Sequence, residues 1–159
     1  MTAARIVQLA ASKGGVPKLA IRRARATTLG LDVDKQKHLK IHGGPERALC
    51  LFSLDVLQLL QAEGHPIFPG SVGENVLIGG LDWAQLRPGV RIAFGDDVVV
   101  ELTRTATPCK TIAESFTDGD YKRLERPDQM RWYSRVITEG DLRVAMPVRL
   151  LGMATPVAT

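Results

Sequence analysis

The stretch "VRIAFGDDVVVELTRTA", residues 90–106, contains two apolar, β-branched runs on either side of Gly95-Asp96-Asp97. Valine, isoleucine and phenylalanine favour strands, and a Gly-Asp-Asp sequence is typical of a turn. The pattern therefore predicts a β-hairpin. Turn residues are dense along the whole chain, which contains 15 Gly and 9 Pro. This density divides the chain into short pieces and predicts a mainly β protein with many short strands.

Further strands are predicted on both sides of this hairpin. The segments are residues 5–12, 19–27, 48–52 and 75–78, followed by a strand, a turn at Glu139-Gly140-Asp141 and a closing strand within residues 132–151. The total is seven to nine short strands. Because short strands need their edges paired or covered, we expect a closed or nearly closed barrel.

One α-helix is predicted, in "LDVLQLLQAEG", residues 54–64. Ser53 is a typical N-cap residue, Asp55 suits the first turn, and Gly64 suits the position just after the last turn. The apolar residues at 54, 56, 57, 59 and 60 recur at helical spacing. Short helical turns are predicted in "LDWAQLRPG" (81–89) and "KTIAESF" (110–116).

The chain of 159 residues suits one domain, which we predict to cover residues 1–151, with a disordered tail at 152–159. Apolar residues make up 45% and charged residues 24%, as in ordinary globular proteins. No apolar run approaches the roughly 18 residues of a membrane-spanning helix, and the first 15 residues make a poor signal peptide. We therefore expect a cytoplasmic protein with no membrane partner.

Positive charge is concentrated in the first third of the chain. Residues 1–50 contain ten Lys and Arg against three Asp and Glu, whereas residues 51–159 contain eleven against fourteen. A basic face favours an anionic partner, either nucleic acid or a phosphorylated small molecule, although a solvated basic surface without a partner fits equally. Aromatic residues make up only 5% of the chain. Because base-stacking platforms need aromatic side chains, we expect no nucleic-acid partner.

The two cysteines, Cys50 and Cys109, stand in different settings. Cys50 lies within the apolar run "ALCLF" and is predicted to be a small buried residue. Cys109 lies in "TATPCKTI" (105–112), after Pro108 and before Lys110, and a nearby cation favours the thiolate. Cys109 is therefore the candidate ligand or nucleophile, with simple packing as the alternative. The spacing of the cysteines and of the histidines at 38, 42 and 65 does not fit a zinc site.

Two further segments carry candidate anion-binding groups. In "IHGGPERAL", His42 precedes Gly43 and Gly44, which allow close backbone approach to a ligand, and Arg47 is placed to hold a phosphate in two hydrogen bonds. A plain β-turn with a surface arginine is the alternative. In "KGGVPK", residues 13–18, Lys18 follows a Gly-Gly turn without P-loop spacing, so it contacts an anion or only solvent.

"GSVGENVLI" contains Asn75, whose amide both donates and accepts hydrogen bonds. Such an amide suits the edge of a heterocycle. The alternative is a loop amide that caps its own backbone.

Four segments, "IHGGPERALCLFS", "FPGSVGENVLIGGLDW", "TRTATPCKTI" and "WYSRVITEG", resemble in order and spacing the MOSC family, the molybdenum-cofactor sulfurase C-terminal domains. The resemblance covers about residues 10–150 and is closest to the small stand-alone bacterial members. It implies a strongly bent, mostly antiparallel β-barrel with a few short helices. It also implies a molybdenum cofactor (molybdopterin) whose metal takes the thiolate of Cys109, a soft ligand suited to that metal.

The resemblance further assigns residues to the cofactor pocket. Those implied around the cofactor or lining its pocket are Gly43, Gly44, Arg47, Asn75, His42, Lys18 and Thr107, with Arg135 at the anionic end. His42 or Lys18 would donate a proton during catalysis.

Three functions follow from the resemblance. The first is a molybdenum-dependent reductase of small N-hydroxylated compounds. Its electrons would come from a separate donor protein, because the chain lacks a dinucleotide fingerprint and an iron–sulfur cysteine set. The second is a sulfur carrier or transferase that uses a Cys109 persulfide loaded by a separate sulfur donor, with any pyridoxal phosphate confined to that partner. The third is a cofactor carrier without turnover.

Overall fold

The structure, a computed structural model, describes residues 3–34 and 44–153. These residues form one α-helix, Leu54–Ala62 (α1), several 3₁₀ turns and eleven strands. The strands are Arg5–Ala11 (β1), Leu19–Ile21 (β2), Arg23–Thr27 (β3), Gly30–Leu31 (β4), Leu49–Ser53 (β5), Val76–Gly79 (β6), Val90–Phe94 (β7), Val98–Thr105 (β8), Trp132–Thr138 (β9), Gly140–Arg143 (β10) and Val148–Met153 (β11).

Two sheets contain these strands. The larger has eight strands in the order β11-β7-β8-β9-β5-β6-β1-β2, and the smaller has the order β10-β3-β4. The β5–β6 pair is parallel, and the other strand pairs are antiparallel. The predicted hairpin at 90–106 is confirmed as β7 and β8, with Phe94 opposite Val98.

The large sheet curls until its two ends approach each other. Ile6 N donates to Met146 O at 2.9 Å, and Val148 N donates to Ala4 O at 2.9 Å, so the segment entering β11 lies beside β1. The strand order nevertheless ends at β11 and β2, so the sheet is strongly bent and not a fully closed barrel. The predicted mainly β, strongly bent fold is confirmed.

Side chains alternate between the two faces of the large sheet, because successive residues of a strand point in opposite directions. Leu49 and Leu51 of β5 enter the main hydrophobic core inside the curl. Phe52 points the other way and packs with Leu57 and Leu60 of α1 in a second, outer core. Cys50 shares this outer face with Phe52.

The helix α1 begins and ends as the sequence predicts. The Ser53 side chain accepts a hydrogen bond from Val56 N at 3.2 Å, which caps the first turn. Gly64 has φ +99°, a left-handed conformation that glycine adopts without steric cost and that ends the helix.

Two predicted boundaries differ from the structure. Residues 19–27 do not form one strand, because the chain bends at Arg22 and passes from β2 in the large sheet to β3 in the small one. Gly140 and Asp141, predicted as a turn, begin β10, which pairs with β3. A Cβ on Gly140 would lie 3.0 Å from Asp97 O, so the missing side chain allows a close crossing there.

The end of β11 lies beyond the predicted domain boundary. Gly152 and Met153 pair with β7 after a register shift that follows Leu150, whereas residues 154–159 lie outside the described residues. Within the described ranges, no helix has the length and apolar character to span a membrane.

Candidate functional site

The candidate site lies on the outer face of the large sheet, beside the second core. Cys50 of β5 and Tyr133 of β9 are direct partners across an antiparallel pair, so their side chains point to the same face. Cys50 is buried, whereas Tyr133 is half-buried. The segment that follows β8 and carries Cys109 borders this surface.

Cys109 lies at the entrance to a short 3₁₀ helix, Lys110–Ser115. Its backbone is extended, with φ −135° and ψ 171°, and its Sγ lies 2.8 Å from Thr111 Oγ1. Cys109 is partly exposed, in contrast to the buried Cys50. The thiol predicted to be chemical is therefore the one that a ligand can reach.

Tyr133 lies near enough to both cysteines for their charge to affect its pKa. The pKa of Tyr133 is raised to about 12, mainly by burial; negative charge on Cys50 or Cys109 adds to the rise, and nearby arginines oppose it. Arg47 lies over the ring, with its Cζ 5.6 Å from the ring centroid, a cation–π geometry. Arg47 and Cys109 thus both act on Tyr133, the first by its position over the ring and the second by its charge. Sequence reasoning did not single out Tyr133, although its alternation with buried Trp132 and Ser134 places it on the outer face.

A buried ion pair lies close to this group. Lys18 Nζ contacts Asp34 Oδ2 at 2.5 Å, with side chains that are 9% and 3% exposed. Asp34 Oδ1 also accepts a hydrogen bond from Ser12 N at 2.9 Å. Lys18, predicted to contact an anion, therefore has an anionic partner within the protein.

The amide of Asn75 joins three segments of the chain. Its Oδ1 accepts from Cys50 N at 3.0 Å, while its Nδ2 donates to Asp34 Oδ2 at 2.9 Å and to Ala10 O at 3.3 Å. The main chain of Asn75 bonds to the same two strands, through Cys50 O and Ala10 N. Asn75 is 1% exposed, so it fixes β1 and β5 to the start of β6. Its predicted contact with a cofactor remains a prediction.

Glu74 and Arg131 are buried charged residues that sequence reasoning did not place in the site. Glu74 is 1% exposed, and its Oε2 accepts from Gly70 N at 3.0 Å. Burial raises the pKa of Glu74 to about 7, against the opposing effect of backbone hydrogen bonds and of the Arg131 charge. Arg131 Nη1 donates to Val72 O at 2.6 Å. Among the described residues, Glu74 Oε1 and Arg131 Nε have no hydrogen-bond partner.

Cys50 lies among these charges. Burial raises the pKa of its thiol to about 11, and the charges of Arg131 and Glu74 act on it, followed by those of Lys18 and Asp34. The thiol is therefore protonated at neutral pH. Cys50 is buried as predicted. The charged residues near its thiol could not be predicted from the apolar run "ALCLF".

Three of the remaining predicted residues lie in or next to the segment before β5. His42 and Gly43 fall outside the described residues. Gly44 has φ +91° and open space where a Cβ would be, so a ligand can approach its backbone.

Thr107 is exposed, two residues before Cys109. Arg135 lies two residues after Tyr133 on the same strand, with its Nη2 3.0 Å from Glu46 Oε2 and its Nε 3.4 Å from Glu101 Oε2. Two carboxylates thus offset the charge of Arg135, and its predicted contact with the anionic end of a cofactor remains a prediction.

The donor atoms around Cys109 fit a metal that arrives with its own ligands. In residues 3–34 and 44–153, no three His, Cys, Asp or Glu side chains group as a metal site. A single thiolate at Cys109 suits a metal that two pterin sulfurs already hold. Arg47, with no carboxylate within 4 Å in the described part of the chain, offers a cation to an anionic cofactor.

Curated relatives match most of the chain. The Escherichia coli protein YiiM is 27% identical over 137 residues, which cover 82% of this chain and 60% of that protein. The Bacillus subtilis protein YflK is 25% identical over 120 residues, covering 74% of this chain and 54% of that protein. A Gibberella moniliformis protein named "Reductase" is 28% identical over 120 residues, covering 72% and 21%. The chain therefore spans little more than half the length of the first two relatives.

Solved structures share the fold. YiiM from Geobacillus stearothermophilus superposes with a TM-score of 0.74 at 19% identity, covering 93% of this chain and 75% of that one. The YuaD protein from Bacillus subtilis gives a TM-score of 0.71 at 16% identity, covering 94% and 96%.

The MOSC domain family profile matches residues 38–149, well over half of the chain. This range includes β5, Asn75, Cys109 and β9, which together form the site described above. On this match, the chain is a member of the MOSC domain family.

Proposed function

We propose that this protein binds a molybdenum cofactor through the thiolate of Cys109 and reduces N-hydroxylated small molecules with electrons from a separate donor protein. The observation that carries the proposal is the partly exposed Cys109 thiol in a MOSC-family chain, near Tyr133, whose ring lies under Arg47. Membership of this family is consistent with a role tied to the molybdenum cofactor. The Gibberella relative named as a reductase supports the direction of the reaction.

The local groups suit an anionic cofactor. Arg47 carries an always-charged guanidinium that pairs well with phosphate, and Gly44 leaves open space next to its own backbone. Cys109 provides the soft donor atom, and its partial exposure makes the sulfur accessible to a ligand. Lys18 is less suited to this role because Asp34 already binds its ammonium group.

The bound cofactor would supply a two-electron redox centre. The reaction breaks the N–O bond of the substrate and consumes two electrons and two protons, giving the amine and water. The chain would then hold the metal, orient the substrate and supply protons. The buried charged groups around Cys50 would supply these protons.

The first test is the molybdenum content of protein purified from a host that makes the cofactor. The proposal predicts near-stoichiometric metal in the wild type, loss of metal in Cys109→Ser, and retention in the matched control Cys50→Ser. The loaded wild type should then reduce an N-hydroxylated test compound with a chemical electron donor. Absence of molybdenum from all three proteins would refute the proposal.

A sulfur carrier is the second candidate, because the same exposure of Cys109 favours transfer of a persulfide sulfur to an acceptor. The Thr111 hydroxyl, 2.8 Å from the thiol, is placed to hydrogen-bond a bound sulfur species. This function predicts no stable metal and, after incubation with a sulfur donor, a mass increase of one sulfur atom at Cys109. A purely cofactor-carrying role predicts stoichiometric metal without turnover.

A further inference from the structure

Three buried polar atoms lack hydrogen-bond partners among the described residues, and one of them, Arg135 Nε, still lies 3.4 Å from a carboxylate oxygen of Glu101. In the described part of the chain, the other two have no such charged neighbour. They are Oε1 of Glu74 and Nε of Arg131, on residues that are 1% and 7% exposed. An unsatisfied buried polar atom is costly, so native proteins rarely keep one without a partner. An acceptor and a donor that both lack partners indicate a small molecule that hydrogen-bonds to the two of them.

The two side chains bind the same short loop, residues 70–74. Arg131 Nη1 donates to Val72 O at 2.6 Å, and Glu74, two residues further along the chain, accepts from Gly70 N at 3.0 Å. The carboxyl and the guanidinium therefore flank the same short piece of backbone. The ion pairs of the described ranges do not include a direct contact between Glu74 and Arg131 within 4 Å.

A water molecule fits this arrangement. It accepts from Arg131 Nε, donates to Glu74 Oε1 or accepts its proton, and keeps a hydrogen for a third partner. Buried waters typically make about three hydrogen bonds to groups that are otherwise unsatisfied. We propose that a buried water links Glu74 Oε1 to Arg131 Nε, and that Glu74 stores the proton that this water passes towards the site around Tyr133 and Cys109.

The proton-storage part of this proposal rests on the proposed reductase function. Reduction of R–NH–OH to R–NH₂ and water takes two electrons from the donor protein and two protons from the protein or solvent. The side chain of Lys18 is already paired with the Asp34 carboxylate. The Glu74 carboxyl, with a pKa raised by burial to about 7, releases and regains a proton near neutral pH.

The charged surroundings of Glu74 agree with this role. Arg131 is the charged group whose field lowers the pKa of Glu74, against the larger effect of burial. The charges of both Glu74 and Arg131 also act on the buried Cys50 thiol. Because Glu74 acts through the water and does not touch substrate, it is a positioning residue of the proton path.

The test starts with cofactor-free protein, so it does not depend on turnover. Infrared spectra of the wild type between about pH 5 and about pH 9 should contain a protonated-carboxyl band that disappears with a midpoint near the pKa of about 7 given by the structure. Glu74→Gln should lack this band, whereas the control Glu63→Gln should keep it, because the Arg123 hydrogen bond lowers the pKa of Glu63 to about 2. Exchange into H₂¹⁸O should perturb the Arg131-linked water mode in the wild type and in Glu63→Gln, but not in Glu74→Gln.

A second variant identifies the band if Glu74→Gln does not fold. Arg131→Met removes the charge that lowers the pKa of Glu74, so the midpoint should move to higher pH. A wild-type spectrum without a carboxyl band that titrates between about pH 6 and about pH 8 would overturn the proposal.

The activity readout separates this inference from the proposed function. In the loaded wild-type enzyme, the rate of reduction should fall as the pH rises above about 7. Glu74→Gln should not show this fall, and its rate at about pH 6 should be at least tenfold lower than that of the wild type. An unchanged pH profile in Glu74→Gln would overturn proton storage. Inactivity of every loaded variant would overturn the reductase function and proton delivery, while a water mode sensitive to H₂¹⁸O would still support the buried water site.

Discussion

Replacing Asn75 by alanine tests the central connection of the site. The substitution removes three hydrogen bonds at once, to Cys50 N, to Ala10 O and to the Asp34 carboxylate. A buried neutral hydrogen bond contributes about 1 kcal/mol and a charge-assisted one about 1.5–3 kcal/mol, with an added cost when a donor is left unpaired. We expect Asn75→Ala to lower the free energy of unfolding by about 3–5 kcal/mol.

The measurement is urea unfolding followed by circular dichroism, with the midpoint compared at an unchanged slope. A matched control is Gln85→Ala, because the amide of Gln85 donates to Asp82 Oδ2 at 2.9 Å on the exposed surface. This control should cost less than about 0.5 kcal/mol, since water replaces the lost bond. A loss below about 1 kcal/mol for Asn75→Ala would refute the view that this amide joins β1, β5 and Asp34.

Three further predictions concern the same surface. Gly70→Ala should cost at least about 3 kcal/mol, because φ is +91° and the added Cβ would lie 2.1 Å from Lys18 O; thermal unfolding measures the loss. Iodoacetamide should alkylate partly exposed Cys109 in the folded protein and leave buried Cys50 unmodified, as peptide mass spectrometry will show. Burial raises the pKa of Glu74 from 4.5 to about 7, so the folded state binds more protons than the unfolded state in that interval, and stability falls as pH rises through it. Glu74→Gln should remove this fall, about 3 kcal/mol in all, in urea unfolding at several pH values.

Each of these predictions has a contrary result. Gly44→Ala is the control for Gly70→Ala, because a Cβ on Gly44 would meet open space. Equal losses of stability in the two variants would show that the clash with Lys18 O is not the cause. Equal alkylation rates at the two thiols would contradict their difference in burial. A parallel pH dependence of stability in the wild type and Glu74→Gln would show that Glu74 is ionised normally.

The local elements of the fold were predictable because their determinants are neighbours in sequence. Ser53 and Gly64 mark the ends of α1, and the Gly95-Asp96-Asp97 turn marks the hairpin. The division between two sheets was not predictable in the same way. The bend at Arg22 and the strand at Gly140 depend on pairing between β3 and β10, whose partners lie more than 100 residues apart.

The site followed a similar pattern. Cys109 was identifiable from its exposed, turn-rich setting and from the resemblance to a family, and it is the more exposed of the two thiols. Glu74 and Arg131 were not identifiable, because a charged residue in a loop normally indicates solvent exposure. Only the packing of the loop against β5 shows that they are buried.

The hydrogen bonds that bring the two ends of the large sheet together also constrain how the chain is made. Ile6 bonds to Met146, and Ala4 bonds to Val148, so these contacts span about 140 residues of sequence. Contacts of such long range slow folding, because the intervening chain must be ordered first. On the ribosome, the first strand therefore emerges long before its partner segment is synthesised, and the sheet acquires its final curvature only once nearly the whole domain has left the exit tunnel.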